Sequence, residues 1–129
     1  MAGKEKGYEF AFDEARAILK VRYWGFWDRA LGQKFIAEFE QQVQAVSVLQ
    51  KEWYILANLT QFPPQSAELQ RFLTEAMAFA KDHGLKKSAR LVESTITQLQ
   101  FERLSKDTHL QEYAFFTSEQ EAIRWLLCE

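Results

Sequence analysis

The sequence predicts an α/β domain with a mostly parallel sheet, in the order ββαβαβαβα. Three observations lead there. Apolar residues recur first at period two and then at three and four, and the two patterns alternate to the end of the chain. Strands that alternate with helices imply parallel neighbours joined by right-handed crossovers. Glycine and proline are sparse, five and two in 129 residues, and no low-complexity segment or linker divides the chain.

The first two runs form an antiparallel hairpin. Tyr8, Phe10 and Phe12 share one face of residues 8–13, and Leu19, Val21 and Tyr23 share one face of residues 17–24. The polar residues Asp13 to Arg16 make the turn, so the hairpin adds an antiparallel edge strand. Asp28 is a plausible N-cap for a helix whose stripe is Leu31, Phe35, Phe39, Val43 and Val46, with Lys34, Glu38 and Gln42 outward. The nearly unbroken apolar run from Trp53 to Leu59 suits a central strand covered on both faces.

Phe62 to Gln65, with two prolines, stop that strand, and Ser66 caps a helix with the stripe Leu69, Phe72, Leu73, Ala76, Met77 and Ala80. Lys81, His83 and Gly84 end it. Ser88 to Glu93 reads as the fourth strand. Residues 95–105 read as a helix with Ile96, Leu99 and Leu104 inward, and Tyr113 to Phe116 as the fifth strand. Ser118 and Glu121 have capping-box spacing ahead of a last helix through Ala122, Ile123, Trp125 and Leu126.

Composition narrows the function classes. Sixteen basic against 18 acidic side chains leave a formal charge of −2, which gives no electrostatic basis for binding nucleic acid. No stretch of 18 apolar residues exists, so no transmembrane segment is expected, and Met1 to Lys6 lack the apolar core of a secretory signal. Cys128 stands alone, which excludes an intramolecular disulfide and fits a reducing compartment. A cytoplasmic protein is expected. The unusual figure is 15% aromatic, with 11 Phe, 4 Tyr and 4 Trp.

Particular residues carry a resemblance along almost the whole chain. They are the hairpin ending Gly25, Phe26, Trp27, Asp28, the central strand ending Leu56, Ala57, Asn58, Leu59, and the stretch Ala76 to Gly84. The strand around Arg90, Leu91, Val92 and the closing Phe116, Ser118, Ala122, Trp125, Leu126 complete the set. In this order and length the chain resembles the STAS superfamily, the sulfate transporter and anti-sigma-factor antagonist domains. It looks most like the small stand-alone STAS-like proteins of bacteria. The resemblance implies a single STAS-like domain over residues 8–127, after a flexible N-terminus over 1–7, with a five-stranded, mostly parallel sheet. In regulatory members an Asp-Ser pair after the central strand carries a serine phosphorylated by a partner kinase. This chain instead has Asn58, Leu59, Thr60 and Gln61, and its first serine there is Ser66. Ser66, and less so Thr60, are the candidates for such a modification.

The densest local feature is Tyr23, Trp24, Gly25, Phe26, Trp27 and Asp28 at the carboxyl end of the second strand. Ligands of open α/β sheets gather beyond the carboxyl ends of strands, at a topological switch point. If strands two and three are parallel neighbours, Trp24, Phe26, Trp27 and Phe62 are expected to converge there as apolar anchors, with Asn58 and Gln61 as orienting polar groups. The competing expectation is that these rings belong to the core and Asp28 is only a cap.

Other constellations read as ordinary structure. Lys81, His83, Lys86, Lys87 and Arg90 are a basic stretch expected as a helix end and a solvated turn. His83 and His109 lack further ligands at metal spacing, so no metal is expected. No phosphate-cradling glycine loop or nucleophile elbow is present, and Asp28 and Glu93 are a weak acid/base pair. The expectation is a non-enzymatic binding or regulatory module without catalytic residues or cofactor. Its partner would be a protein or a second copy of the chain. The alternative is a carrier or sensor of a hydrophobic, fatty-acid-like molecule.

Overall fold

Strand order in space repeats strand order in the chain. In the computed structural model, which describes residues 5–128, five strands lie side by side as β1-β2-β3-β4-β5. They are β1 (Gly7–Asp13), β2 (Ile18–Trp24), β3 (Trp53–Gln61), β4 (Leu85–Leu91) and β5 (Tyr113–Phe116). The helices are α1 (Arg29–Leu49), α2 (Ala67–Asp82), α3 (Thr95–Asp107) and α4 (Glu119–Leu127). β1 pairs antiparallel with β2, and every later pair is parallel. The α/β class, the order ββαβαβαβα and the antiparallel edge strand are those read from the sequence. The expected flexible N-terminus falls, for residues 1–4, outside the described residues, and Gly7 already belongs to β1.

Since each crossover steps one strand further in the same direction, right-handedness sends all three crossover helices to one face. There α1 packs beside α2 and α2 beside α3. This face holds the main core, with Leu19, Val21 and Tyr23 of β2 and Ile55, Ala57 and Leu59 of β3 against Phe35, Phe39, Leu73 and Phe101. Among the described residues the other face is roofed only by α4, which lies over β3, β4 and β5 and buries Leu56, Ala89 and Leu91 beneath Ala122 and Leu126. β3 is therefore covered twice, as its apolar run requires.

Sequence caps operate as expected. Asp28, Ser66 and Ser118 each accept the backbone N–H three residues on, opening α1, α2 and α4, and Ser94, which the sequence had not singled out, does the same for α3. Two expectations are corrected. β4 starts at Leu85 and ends at Leu91, leaving Glu93 exposed in the loop beyond it. On α3 the inward side is Thr97, Phe101, Leu104 and Ser105, whereas Ile96 and Leu99 are 59% and 54% exposed. Thr97 and Ser105 are tolerated inside because each hydroxyl donates to a main-chain carbonyl, Phe62 O at 2.9 Å and Phe101 O at 2.8 Å.

Candidate functional site

The loops after β2 and β3 do meet at the carboxyl edge of the sheet. Trp24 pairs with Gln61 after a register shift, and the Gly25 N–H donates to Gln61 O at 3.1 Å. Gly25 adopts φ +83°, and a Cβ there would strike the Glu5 carbonyl oxygen, so this turn requires glycine.

Trp27 folds back beneath the loop and is 1% exposed. Its ring packs against Tyr23, Phe35 and Phe62 with centroids 5.8, 5.1 and 5.2 Å away, and its Nε1 donates to Trp24 O at 3.0 Å. Phe62 is 2% exposed in the same cluster. The expectation that Trp27 and Phe62 are surface anchors is thereby corrected: both are core. The reason is topological. Strand order never reverses, so there is no switch-point crevice, and the crossover helices close over the space where one would open.

Trp24 goes to the opposite face of the sheet. Its ring lies over Gly7, where no side chain intervenes, and Arg22 stacks on it with Cζ 4.5 Å from the centroid. Phe26 alone of the four remains largely in solvent, 58% exposed, between Gly25 and buried Trp27. Asn58 is half-buried, and its Oδ1 accepts from the Thr60 N–H at 3.1 Å and the Thr60 hydroxyl at 2.8 Å. Gln61 is exposed. Thr60, Gln61, Phe62, Pro63, Glu93 and Ser94 line an open cleft of about 320 Å³ between the ends of β3 and β4.

The residue that ties this edge together was missed. Gln65 is buried; its Oε1 accepts from the Trp27 N–H at 2.9 Å, and its Nε2 donates to Gly25 O and Pro63 O at 3.0 and 2.7 Å. Its own N–H donates to Gln100 Oε1 at 3.0 Å. An amide has donors and acceptors enough for this. Only its place after two prolines, where backbone groups lack partners, hinted at it. Ser66 follows at the N-terminus of α2, exposed, with its Oγ accepting from the Leu69 N–H at 3.2 Å.

Asp28 and Glu93 do not form an acid/base pair. Asp28 caps α1 and pairs with Lys6 at 2.7 Å; that hydrogen bond, then the Leu31 N–H, hold its carboxyl below the usual range. The basic stretch is also not a solvated turn throughout. Lys87 and Arg90 are buried on opposite faces of β4, Lys87 donating to Trp125 O and Cys128 O and Arg90 lying in the main core. Basic residues inside a strand flanked by Ala89, Leu91 and Val92 were the available signal.

Half of the second face stays open. Glu9 and Ala11 of β1, with Lys20 and Arg22 of β2, line a depression of about 190 Å³ alongside Asn58 and Glu119. Its charges are paired, Arg22 with Glu9 at 3.1 Å and Lys20 with Glu119 at 3.3 Å.

Comparison with known structures decides the fold. The chain is similar over 98% of its length to 98% of an uncharacterised protein of the DUF3478 family with a SpoIIAA-like fold, from Shewanella loihica, at TM-score 0.73 and 14% identity. The fold is SpoIIAA-like, the one that the resemblance in the sequence led us to expect. SpoIIAA of Bacillus, a cell fate determinant solved in its phosphorylated form, gives TM-score 0.61 at 15% identity, over 93% of this chain and 99% of that one. An anti-sigma factor antagonist from Mycobacterium paratuberculosis gives 0.53 at 12%, over 93% and 94%. No protein-family model and no curated protein matches the sequence. Among the described residues, no helix is long and apolar enough to cross a membrane.

Proposed function

We propose that this STAS-like domain is a non-enzymatic regulatory module that binds a protein partner at the carboxyl edge of its sheet. The observation that carries the reading is Phe26, a large apolar side chain 58% exposed on a turn pinned by Gly25 and buried Trp27. An aromatic ring held in place before binding loses little freedom on docking, which is how interface anchors gain affinity. Trp24, Asn58 and Gln61 extend the surface, and exposed Ile96 follows the same edge into α3. An anti-sigma factor antagonist among the similar structures supports a protein as the partner.

Ser66 is the place for a switch on this surface, with Thr60 second. Ser66 is exposed at a helix N-terminus, where added phosphate is electrostatically favoured. Thr60 spends its hydroxyl on Asn58. Incubation with a kinase followed by intact-mass measurement supports the switch if one phosphate appears and Ser66→Ala removes it.

The partner reading is tested by placing a photo-crosslinking amino acid at Phe26 and comparing it with one at Val48, an exposed apolar position on α1. A discrete adduct specific to position 26, lost in Gln61→Arg, supports the reading. Equal labelling at both positions would sink it. A crosslink to a second copy identifies a homodimer, and a bound hydrophobic molecule in native mass spectrometry identifies the carrier alternative.

A further inference from the structure

Arg90 sits in the main core with its charge unbalanced. It is 0% exposed, on β4 between β3 and β5. Its Nε donates to Ser88 Oγ at 2.8 Å and its Nη1 to Ser105 Oγ at 2.7 Å, both neutral acceptors. The rings of Phe101, Tyr113 and Phe115 stand 5.7, 5.4 and 5.6 Å from Cζ. Among the described residues no carboxylate pairs with it, and Nη2 has no hydrogen-bond partner. A lone buried ion carries one of the largest desolvation penalties in a protein interior.

The side chain cannot escape by losing its proton. Burial pulls its pKa down only to about 10, so it is a cation at neutral pH. Tyr23 beside it cannot supply the negative charge, because burial pushes the phenol up and keeps it neutral. Arg90 lines a small cavity of about 10 Å³ together with Tyr23, Phe39, Met77, Ser88 and Phe101 among others. That is room for about one water-sized sphere. A carboxylate or phosphate does not fit such a volume. Met77 has an unbranched, adaptable side chain that can yield the little extra room a halide needs over water.

We infer that this cavity is an internal anion site, taking one monoatomic anion of the halide class on Arg90 Nη2. The anion supplies both the missing acceptor and the missing charge, so it stabilises the native state by mass action.

Thermal unfolding in sodium chloride and in sodium gluconate of equal ionic strength tests this, gluconate being too large to enter. The expected result is a melting temperature higher by about 3–6 °C in chloride, with the difference absent in Arg90→Met. Equal melting temperatures in the two salts overturn the proposal, as does a chloride gain that persists in Arg90→Met. If that variant does not fold, crystals of the unaltered protein grown in bromide settle the matter. An anomalous peak beside Arg90 Nη2 supports the site, and a water there without anomalous signal overturns it.

Discussion

The backbone N–H of Trp27 donates to Oε1 of Gln65 at 2.9 Å, joining the loop after β2 to the loop after β3 across 38 residues. The same side-chain amide then closes on Gly25 O and Pro63 O. Together with the Gly25 N–H bond to Gln61 O, this side chain ties the two loops to each other at the carboxyl edge.

Gln65→Leu keeps the approximate volume and strands the buried Trp27 N–H, besides the less buried carbonyls of Gly25 and Pro63. A single unsatisfied group costs about 1–3 kcal/mol, so the urea midpoint should fall by at least that equivalent with the slope unchanged. An unchanged midpoint would show that the loops hold themselves.

Trp27→Ala and Phe62→Ala should each destabilise the domain by about 3–5 kcal/mol, as large-to-small changes in a packed core do. Phe26→Ala should leave stability within about 0.5 kcal/mol, as surface changes do. Denaturant unfolding of the three variants separates the core rings from the displayed one.

The contrast among these rings shows what the sequence could and could not convey. Period-two and period-three patterns at Phe10, Val21, Phe35 and Leu73 report which way a side chain faces because the element repeats. Trp24 still follows the alternation of β2 and shares a face with Arg22, whereas Phe26 and Trp27 lie beyond the repeat, after the positive φ at Gly25. Meeting of the two loops was legible; absence of a crevice between them was not, because it depends on strand order in space. On α3 the polar Thr97 faces inward by donating to the distant Phe62 carbonyl and Ser105 by accepting from Arg90, which no local pattern of hydrophobicity encodes.

At the acid end, Asp28 should report on the Lys6 contact. Its carboxyl is held below the ordinary 3.8 in the native state, so its ionised form favours folding. That contribution is complete above pH 3.8 and is lost as pH falls through the lower native value. Asn caps a helix as well as Asp but does not titrate. The advantage of the natural protein over Asp28→Asn in urea midpoint should therefore shrink on acidification below that pH.

At the alkaline end the sign reverses. Burial raises the Tyr23 phenol above its ordinary 10.0, which favours folding below that pH. The contribution is lost as pH rises above 10.0 toward the native value. Tyr23→Phe should flatten the alkaline fall in stability, measured as melting temperature against pH. A curve of unchanged steepness would place the alkaline loss elsewhere.

Lys87 anchors the end of α4. Its Nζ donates to Cys128 O at 2.7 Å and Trp125 O at 3.2 Å while lying over the Trp125 ring. A cation on the last carbonyls also complements the helix dipole. Lys87→Met should cost about 1.5–3 kcal/mol, the range for charge-assisted hydrogen bonds. Faster amide exchange should be concentrated in residues 122–127, with α1 to α3 unaffected.

The agreement between chain order and spatial order bears on how the molecule is made. Each strand from β2 onward joins the one synthesised just before it, so a nascent chain can extend its sheet as it leaves the ribosome, with no strand waiting on a later partner. Only the second face depends on the last element, α4. A chain lacking α4 would thus display Leu56, Ala89 and Leu91 together, an apolar patch covered only once Ala122 and Leu126 have folded over it.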